Sequence, residues 1–197
     1  MKGIESIIEK ALSLKAKGLT DKEIGDELHL SPNTITWLLT RKVEGEKPPM
    51  DIKIGWRSVG VFPHRIESLA TIMSDIILEE MTKQKKEIDS IVGVALNGIP
   101  FATLIALELQ KELIIFRPPS DSSAKGTFSS NYAGVKGKKA VIVDDVLGTG
   151  DSVRNTISTL KDHGAKPVLT VVVLNKTEHD KIGNVPLRAL FRARILE

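Results

Sequence analysis

An acidic pair and a glycine-containing loop lie together in the segment VIVDDVLGTGDS, residues 141–152. Asp144 and Asp145 follow a β-branched run, which is typical of a buried strand. The glycines that come next let backbone N–H groups approach an anion, and the hydroxyl side chains beside them can donate hydrogen bonds to it. Carboxylates accept hydrogen bonds from sugar hydroxyls but repel a bare phosphate, so we expect a ligand that carries both groups, such as a ribose 5-phosphate.

The segment therefore predicts a pocket for a phosphorylated ribose. Its expected lining is Asp144, Asp145, Leu147, Gly148, Thr149, Gly150, Asp151 and Ser152. A helix is predicted to begin near Ser152, and its positive N-terminal end would point at the same place. Asp144 and Asp145 suit either sugar hydroxyls or, indirectly, a Mg²⁺ ion that accompanies the sugar phosphate.

Four β-branched runs alternate with long helical stretches in the second part of the chain. The runs predict strands at residues 90–95, 113–116, 139–143 and 168–174. Strands separated by helices indicate a parallel sheet with right-handed crossovers, and continuous apolar strands indicate burial on both faces. The acidic pair is thus expected at the carboxyl end of a parallel strand, where α/β sheets bind ligands.

The first part of the chain has a different pattern, because its apolar residues recur at helical spacing. Thr20, with Glu23 three residues later, predicts a capping box, and Ser31 followed by Pro32 predicts the start of a third helix. Residues 43–49 are polar, with a glycine and consecutive prolines, as in an extended linker. The predicted organisation is a helical domain at 1–43, a linker at 44–55 and an α/β domain at 56–197.

Composition excludes several classes of site and adds little about partners. The net charge is +3, from 28 basic and 25 acidic side chains, which is too small to indicate nucleic-acid binding without a local motif. There are no cysteines and the four histidines are scattered, so neither disulfides nor a zinc site is expected. Without a signal peptide or a long apolar stretch, the chain is expected to be cytoplasmic and to have no membrane partner.

The string LTDKEIGDELHLSPNTITWLL, residues 19–39, resembles the helix-turn-helix of many transcription regulators, with His29 at the turn. The resemblance implies that the helix beginning at Ser31 enters the major groove of DNA. The residues implied to contact DNA are Ser31, Asn33, Thr34, Thr36, Trp37, Arg41 and Lys42. The alternative is a three-helix module that serves only protein contact or dimerisation, with Trp37 as a packing residue.

The segment AVIVDDVLGTGDS resembles the phosphoribosyl pyrophosphate signature of type I phosphoribosyltransferases. The resemblance implies that Asp144 and Asp145 hold the ribose hydroxyls while the loop after them holds the 5′-phosphate. Gly148 and Asp151 depart from the threonine and glycine that are common in that family. An additional carboxylate at Asp151 points outward or weakens phosphate binding.

A second segment, VGVALNGIPFATLIALEL, resembles the pyrophosphate-binding loop of the same family. The resemblance implies that the backbone amides from Leu96 to Gly98 face the pyrophosphate, so that Asn97 and Gly98 belong to the site. Arg117, after the next predicted strand, matches an arginine of orotate phosphoribosyltransferases and is a further candidate ligand-binding residue.

The loop after Arg117 departs from the related enzymes. Pro118 and Asp121 stand where those enzymes carry lysines, and Lys125 could partly substitute for them. Cations near a transferred pyrophosphate stabilise developing charge, so their replacement weakens the case for catalysis without affecting ligand binding. If the chain is an active enzyme, Asp145, Arg117 and Lys125 are its candidate catalytic residues.

The whole layout resembles the archaeal orotate phosphoribosyltransferase-like transcriptional regulators. That resemblance implies an α/β fold in which a parallel-sheet type I phosphoribosyltransferase domain is preceded by a small all-α helix-turn-helix domain. It also implies a homodimer that binds DNA and senses phosphoribosyl pyrophosphate or a nucleotide. The alternative is a catalytically active orotate or purine phosphoribosyltransferase that uses Mg²⁺ and carries an accessory helix-turn-helix.

Overall fold

The structure is a computed structural model, and it describes residues 2–40, 49–119 and 125–194. The chain divides into two compact units, Met1–Gly55 with Arg194–Glu197, and Trp56–Ala193. The boundary thus falls where the predicted linker ends. The expectations for Arg41, Lys42 and Asp121 lie outside the described residues.

The first unit contains three helices, as its capping signals predict. They are α1 (Lys2–Ala16), α2 (Asp21–Leu28) and α3 (Pro32–Thr40). Between α2 and α3, His29 adopts a left-handed conformation with φ 53°, which histidine tolerates better than most residues. The three helices pack around an apolar core formed by Ile8, Ala11, Ile24, Leu28, Ile35 and Leu38.

The start of α2 is fixed by the predicted capping box. The hydroxyl oxygen of Thr20 accepts a hydrogen bond from the backbone N–H of Glu23 at 3.2 Å. In return, Glu23 Oε2 accepts one bond from the Thr20 backbone N–H and one from its hydroxyl, both at 2.8 Å. These bonds to the ionised carboxylate hold the pKa of Glu23 below its ordinary value.

The second unit is built on a seven-stranded sheet with the order β3-β2-β1-β4-β5-β7-β6. The strands are β1 (Ser90–Val94), β2 (Glu112–Arg117), β3 (Thr127–Phe128), β4 (Lys139–Leu147), β5 (Lys166–Asn175), β6 (Lys181–Ile182) and β7 (Val185–Arg192). The five central strands pair in parallel, which confirms the prediction of a parallel sheet. The short edge strands β3 and β6 pair antiparallel, and the sequence patterns predict neither of them.

Helices cover both faces of this sheet. They are α4 (Arg57–Gly60), α5 (Pro63–Gln84), α6 (Gly98–Leu109) and α7 (Asp151–Asp162). Residues of α5 and α6, such as Met73 and Phe101, pack on one face of the sheet in one apolar cluster. Residues of α7, such as Leu160, pack on the other face in a second cluster. Burial on both faces explains why the central strands are almost entirely apolar.

Strand order reverses between β1 and β4, since the chain runs outward from β1 through β2 and then returns to β4 on the other side. β1 pairs with β4 only as far as Gly93 and Val143, whereas β4 and β5 stay paired as far as Leu147 and Asn175. The sequence prediction that β4 ends at Val143 is therefore wrong: β5 alone supplies hydrogen bonds to the last residues of β4. Asp144 is the first β4 residue beyond its ladder with β1.

Gly98, the first residue of α6, touches the backbone of β4. A Cβ atom at this position would lie 2.5 Å from the carbonyl oxygen of Val143 and 3.1 Å from the Cα of Asp144. No side chain fits at such distances from backbone atoms, so glycine is the residue that lets α6 begin against β4.

We expect Gly98→Ala to destabilise the second unit. The added methyl group meets backbone atoms that cannot move independently, and overpacking of this kind costs about 1–3 kcal/mol. Urea denaturation followed by circular dichroism measures the loss. Gly134→Ala is the matched control, because a Cβ there would meet nothing within 4 Å. Equal stability of the two variants would contradict the close approach of Gly98 to β4.

We expect Thr20→Ala to lower the free energy of unfolding by about 1 kcal/mol, because the hydroxyl that caps α2 is lost. The backbone N–H of Thr20, which the variant keeps, is the main cause of the lowered pKa of Glu23, and the hydroxyl bond is the second. Loss of the hydroxyl therefore gives the effect a partial pH dependence. A carboxylate with a lowered pKa stabilises the fold at neutral pH, and this stabilisation is lost as the pH falls through that pKa. The difference between wild type and variant should therefore shrink in acid, as followed by thermal denaturation at several pH values.

The exposed Ser13 of α1 offers a control for this measurement. Ser13→Ala removes a hydroxyl of similar size from a helix interior, where alanine is a better helix former. We expect it to leave stability unchanged or slightly raised at every pH. A parallel loss of stability in Ser13→Ala and Thr20→Ala would show that the cap contributes nothing specific.

Candidate functional site

The acidic pair lies in β4 beside the point where strand order reverses. Asp144 and Asp145 are buried, with 9% and 5% of their surfaces exposed. The backbone N–H of Asp145 donates to Oδ1 of Asp144 at 2.9 Å. Crevices at the carboxyl ends of parallel strands, where the order reverses, are where open α/β sheets bind ligands. The two carboxylates therefore occupy the position that the architecture offers to a ligand.

Trp56 reaches the same pair from the start of the second unit. Its indole N–H donates to Oδ2 of Asp145 at 2.9 Å, across 89 positions of sequence. The indole ring packs against Phe101 of α6, with a centroid separation of 5.7 Å. No local pattern in the sequence indicates this hydrogen bond, because the bond depends on how the chain around α4 folds back onto the sheet.

The loop between β1 and α6 forms one side of the crevice. It consists of Ala95, Leu96 and Asn97, with a cis peptide bond between Ala95 and Leu96. Leu96 is 80% exposed, and Asn97 makes no side-chain capping bond at the start of α6. With Gly98 against Asp144, this loop places the positive N-terminal end of α6 beside the acidic pair.

The loop between β4 and α7 forms the other side. Gly148 stands in open space, and Gly150 has φ 84° and precedes α7 without a side-chain cap. The hydroxyl of Thr149 donates to Oδ2 of Asp151 at 2.6 Å. The carboxylate of Asp151 thus lies within the loop expected to hold phosphate, beside the helix N-terminus that attracts anions.

Arg154, one turn into α7, completes this arrangement, and the sequence prediction of the site missed it. Its guanidinium donates to the backbone oxygen of Thr149 and to Oδ1 of Asp151, both at 2.8 Å. The i, i+3 spacing of Asp151 and Arg154 on a helix was the available signal. The positive charge of Arg154 therefore lies next to the negative charge of Asp151. It offsets the repulsion that Asp151 would exert on a phosphate in this loop.

Arg117 and Lys125, the two basic candidate residues in this part of the chain, lie at different places in the structure. Arg117 is the last residue of β2 and is exposed. The carbonyl of its neighbour Phe116 accepts a hydrogen bond from the backbone N–H of Ala95 at 2.8 Å, so the end of β2 lies beside the loop between β1 and α6. The ammonium of Lys125, in contrast, bonds to Asp162 at 2.8 Å and holds the pKa of that carboxyl below its ordinary value. Asp162 ends α7, roughly 16 Å along the helix from Asp151, so the structure does not bring Lys125 to the acidic pair.

The described residues contain no cluster of three or more histidine, cysteine or acidic side chains that could hold a metal ion. The remaining candidate metal ligands are the two adjacent carboxylates of Asp144 and Asp145. Mg²⁺ keeps several of its waters and is commonly bound by one or two carboxylates together with ligand phosphates. The pair fits a Mg²⁺ ion of that kind and does not form a site built by protein ligands alone.

The exposed face of α3 in the first unit carries Asn33 and Thr36, while Trp37 is half-buried against the helical core. The expectation that Thr34 is exposed is wrong, since only 6% of its surface is accessible. Its hydroxyl donates to Oδ2 of Asp51 at 2.9 Å, and the backbone N–H of Ser31 donates to the same oxygen at 2.6 Å. Asp51 thus stabilises the start of α3 through these two hydrogen bonds, and the bond to Thr34 holds that side chain in a buried position.

Comparisons with known proteins agree with this geometry. The phosphoribosyl transferase domain family matches residues 62–182. A transcriptional regulator GfcR of Thermoplasma acidophilum is 52% identical over 196 residues, covering 100% of this chain and 98% of the relative. A transcriptional regulator GfcR of Picrophilus torridus is 49% identical over 192 residues, covering 98% of both chains.

Among solved structures, the orotate phosphoribosyltransferase of Aeropyrum pernix superimposes with a TM-score of 0.55 at 26% identity, covering 71% of this chain and 77% of that one. The second unit thus has the type I phosphoribosyltransferase-like fold. No helix in the described part of the chain is long and apolar enough to cross a bilayer. The chain belongs to the family of transcriptional regulators named GfcR and carries a phosphoribosyl transferase domain.

Proposed function

We propose that this regulator binds DNA through α3 and senses phosphoribosyl pyrophosphate or a nucleotide at the carboxyl edge of its sheet. The observation that carries the proposal is the buried pair Asp144 and Asp145 between the N-terminal ends of α6 and α7. Carboxylates accept hydrogen bonds from sugar hydroxyls, whereas helix N-termini attract phosphates. A ligand that presents both groups a short distance apart satisfies both sides of the crevice.

Each part of the ligand has a candidate partner. The ribose hydroxyls face Asp144 and Asp145, and the 5′-phosphate faces the loop of Gly148, Thr149, Gly150 and Ser152 together with Leu147, Asp151 and Arg154. The pyrophosphate faces the amides around Asn97 and Gly98, with Arg117 at the same edge. Asp144 and Asp145 would hold Mg²⁺, and the ion, when bound, would neutralise pyrophosphate charge.

Sensing is favoured over catalysis by the residues after β2. Pro118 stands where related enzymes carry a lysine, and the ammonium of Lys125 is paired with Asp162 at the far end of α7. The cations that would stabilise charge on a departing pyrophosphate are therefore reduced to Arg117 among the described residues of this segment. Binding needs only the carboxylates and the helix N-termini, which are in place.

DNA recognition is assigned to the face of α3 that carries Asn33 and Thr36, both exposed. Asparagine side chains bond adenine edges in the major groove, and threonine contacts bases by its hydroxyl or methyl group. Since a single short helix gives few contacts, we infer that a homodimer reads two half-sites. Ser31, Trp37, Arg41 and Lys42 complete the proposed contact set, whereas Thr34 would act through the packing of α3.

We expect the double variant Asp144→Asn and Asp145→Asn to lose binding of phosphoribosyl pyrophosphate. Charge-assisted bonds to sugar hydroxyls are about twice as strong as neutral ones, and the variant keeps the shape of both side chains. Isothermal titration calorimetry with Mg²⁺ present measures the affinity. Unchanged affinity in the double variant would overturn the site assignment.

The matched control is Glu87→Gln with Asp75→Asn, which removes the same charge from exposed positions outside the acidic pair and its loops. We expect this control to bind like wild type, so that a loss in the first variant reflects the site and not the net charge. The wild-type protein is also incubated with phosphoribosyl pyrophosphate, Mg²⁺ and a panel of orotate and purine bases. Sustained pyrophosphate release with any base would favour the enzyme alternative.

We expect Asn33→Ala and Thr36→Ala each to weaken DNA binding, by about 1–3 kcal/mol where the side chain reads a base. The probe is a duplex selected by the wild-type protein from a randomised library, and gel retardation at fixed salt gives the affinity. Ser13→Ala on α1 is the control and should bind like wild type. Failure of the wild-type protein to enrich any sequence would contradict the DNA-binding proposal and favour a headpiece for dimerisation alone.

A further inference from the structure

Trp56 already uses an acceptor that the proposed ligand needs. Its indole N–H donates to Oδ2 of Asp145 at 2.9 Å, and Asp145 is 5% exposed. A buried carboxylate must keep hydrogen-bond donors, because removing them leaves charge without compensation. In the structure Trp56 is one of those donors. A ribose hydroxyl arriving at Asp145 would offer the same kind of donor at the same carboxylate.

We propose that Trp56 is an internal occupant of the sugar-hydroxyl site and that ligand binding is an exchange. In this exchange a ribose hydroxyl replaces the indole N–H on Asp145. The inference rests on the proposed function, since it takes Asp145 as an acceptor of sugar hydroxyls. It adds a residue that sets affinity and specificity: the ligand gains a hydrogen bond to Asp145 only by breaking one that the protein already makes.

The attachment of Trp56 makes such an exchange feasible. Trp56 precedes α4, a helix of four residues that buries none of them. The indole ring is half-buried, lying against Phe101 on one side and close to Gly60 on another. Trp56 and Val59 of α4 pack on the edge of the apolar cluster and are only partly buried, so release of the indole breaks peripheral contacts and leaves the fully buried core in place.

The exchange distinguishes between classes of ligand. A ligand with a ribose brings a hydroxyl donor to Asp145 and displaces the indole. Inorganic pyrophosphate brings only acceptors, so it can occupy the anion-binding loops while Trp56 stays on Asp145. Trp56 therefore separates sugar phosphates from simple anions, a distinction that the helix N-termini alone do not make.

The first test removes the indole N–H and keeps an aromatic ring. We expect Trp56→Phe to bind phosphoribosyl pyrophosphate and ribose 5-phosphate about tenfold more tightly than wild type, because the ligand no longer breaks a charge-assisted hydrogen bond. Affinity for inorganic pyrophosphate should stay the same. Tyr132→Phe, which removes a hydroxyl donor from another aromatic ring, an exposed one, is the control and should change neither affinity.

A second variant weakens the hydrogen bond between Trp56 and Asp145 without changing Trp56 itself. A Cβ atom at Gly60 would lie 2.7 Å from Cζ3 of the indole, so Gly60→Ala pushes the ring from its place. We expect tighter binding of ribose 5-phosphate in this variant also, with pyrophosphate affinity unchanged. Thermal denaturation by circular dichroism checks that each variant is folded before titration.

Fluorescence follows the indole in a protein whose site is intact. The chain has two tryptophans, so Trp37→Phe leaves Trp56 as the sole tryptophan emitter. Ribose 5-phosphate should shift the Trp56 emission as the indole leaves the carboxylate, and pyrophosphate at saturating concentration should not. A role of Trp56 in structure alone would give no such difference between the two ligands.

The outcomes separate this inference from the proposed function. If wild type binds none of the sugar phosphates, the proposed function fails and the exchange fails with it. If wild type binds them but Trp56→Phe binds equally or more weakly, the proposed function stands and the exchange is overturned. Identical Trp56 emission with ribose 5-phosphate and with pyrophosphate would likewise overturn the exchange and leave the proposed function standing.

Discussion

The contact between α6 and β4 at Gly98 is the constraint from which the site geometry follows. With a Cβ position only 2.5 Å from the carbonyl oxygen of Val143, α6 can begin there only at a glycine. This contact brings the positive end of α6 beside Asp144, while β4 continues along β5 for four more residues to Leu147. The N-terminal end of α6, which attracts anions, therefore lies next to the acidic pair. The two come this close because the backbones of α6 and β4 approach without a side chain between them.

Burial of the acidic pair imposes a second constraint, which is that hydrogen-bond donors must surround the carboxylates. A carboxylate out of water is costly unless donors surround it, and Asp145 obtains one from the indole of Trp56. In the neighbouring loop, Asp151 is exposed but is also bonded, by Thr149 and Arg154. Both halves of the site therefore carry their own hydrogen-bond partners, and a ligand must compete with these bonds.

Sequence patterns predict the parts of this molecule that are governed by local rules. Apolar runs indicate four of the inner strands, and the pairing of Thr20 with Glu23 indicates the cap of α2. Three of the errors share a physical origin, which is contact between distant segments: Asp51 buries Thr34, β5 prolongs β4, and Asp162 binds Lys125. The hydrogen bond of Trp56 belongs to the same class, because no local pattern links residues 89 positions apart. Arg154 is different, because its i, i+3 spacing to Asp151 is a local signal.

The position of Trp56 bears on how a ligand could influence DNA binding. It is the first residue of the second unit, directly after the segment 49–55, and Asp51 within that segment holds the start of α3. A ligand can shift DNA affinity only by as much as its own affinity differs between the two states of the protein. By the same linkage, operator DNA must change ligand affinity by an equal factor. If the hydrogen bond between Trp56 and Asp145 is present in one of the two states and absent in the other, it can contribute to the coupling between ligand binding and DNA binding. Its contribution to the coupling free energy cannot exceed the free energy of the bond itself.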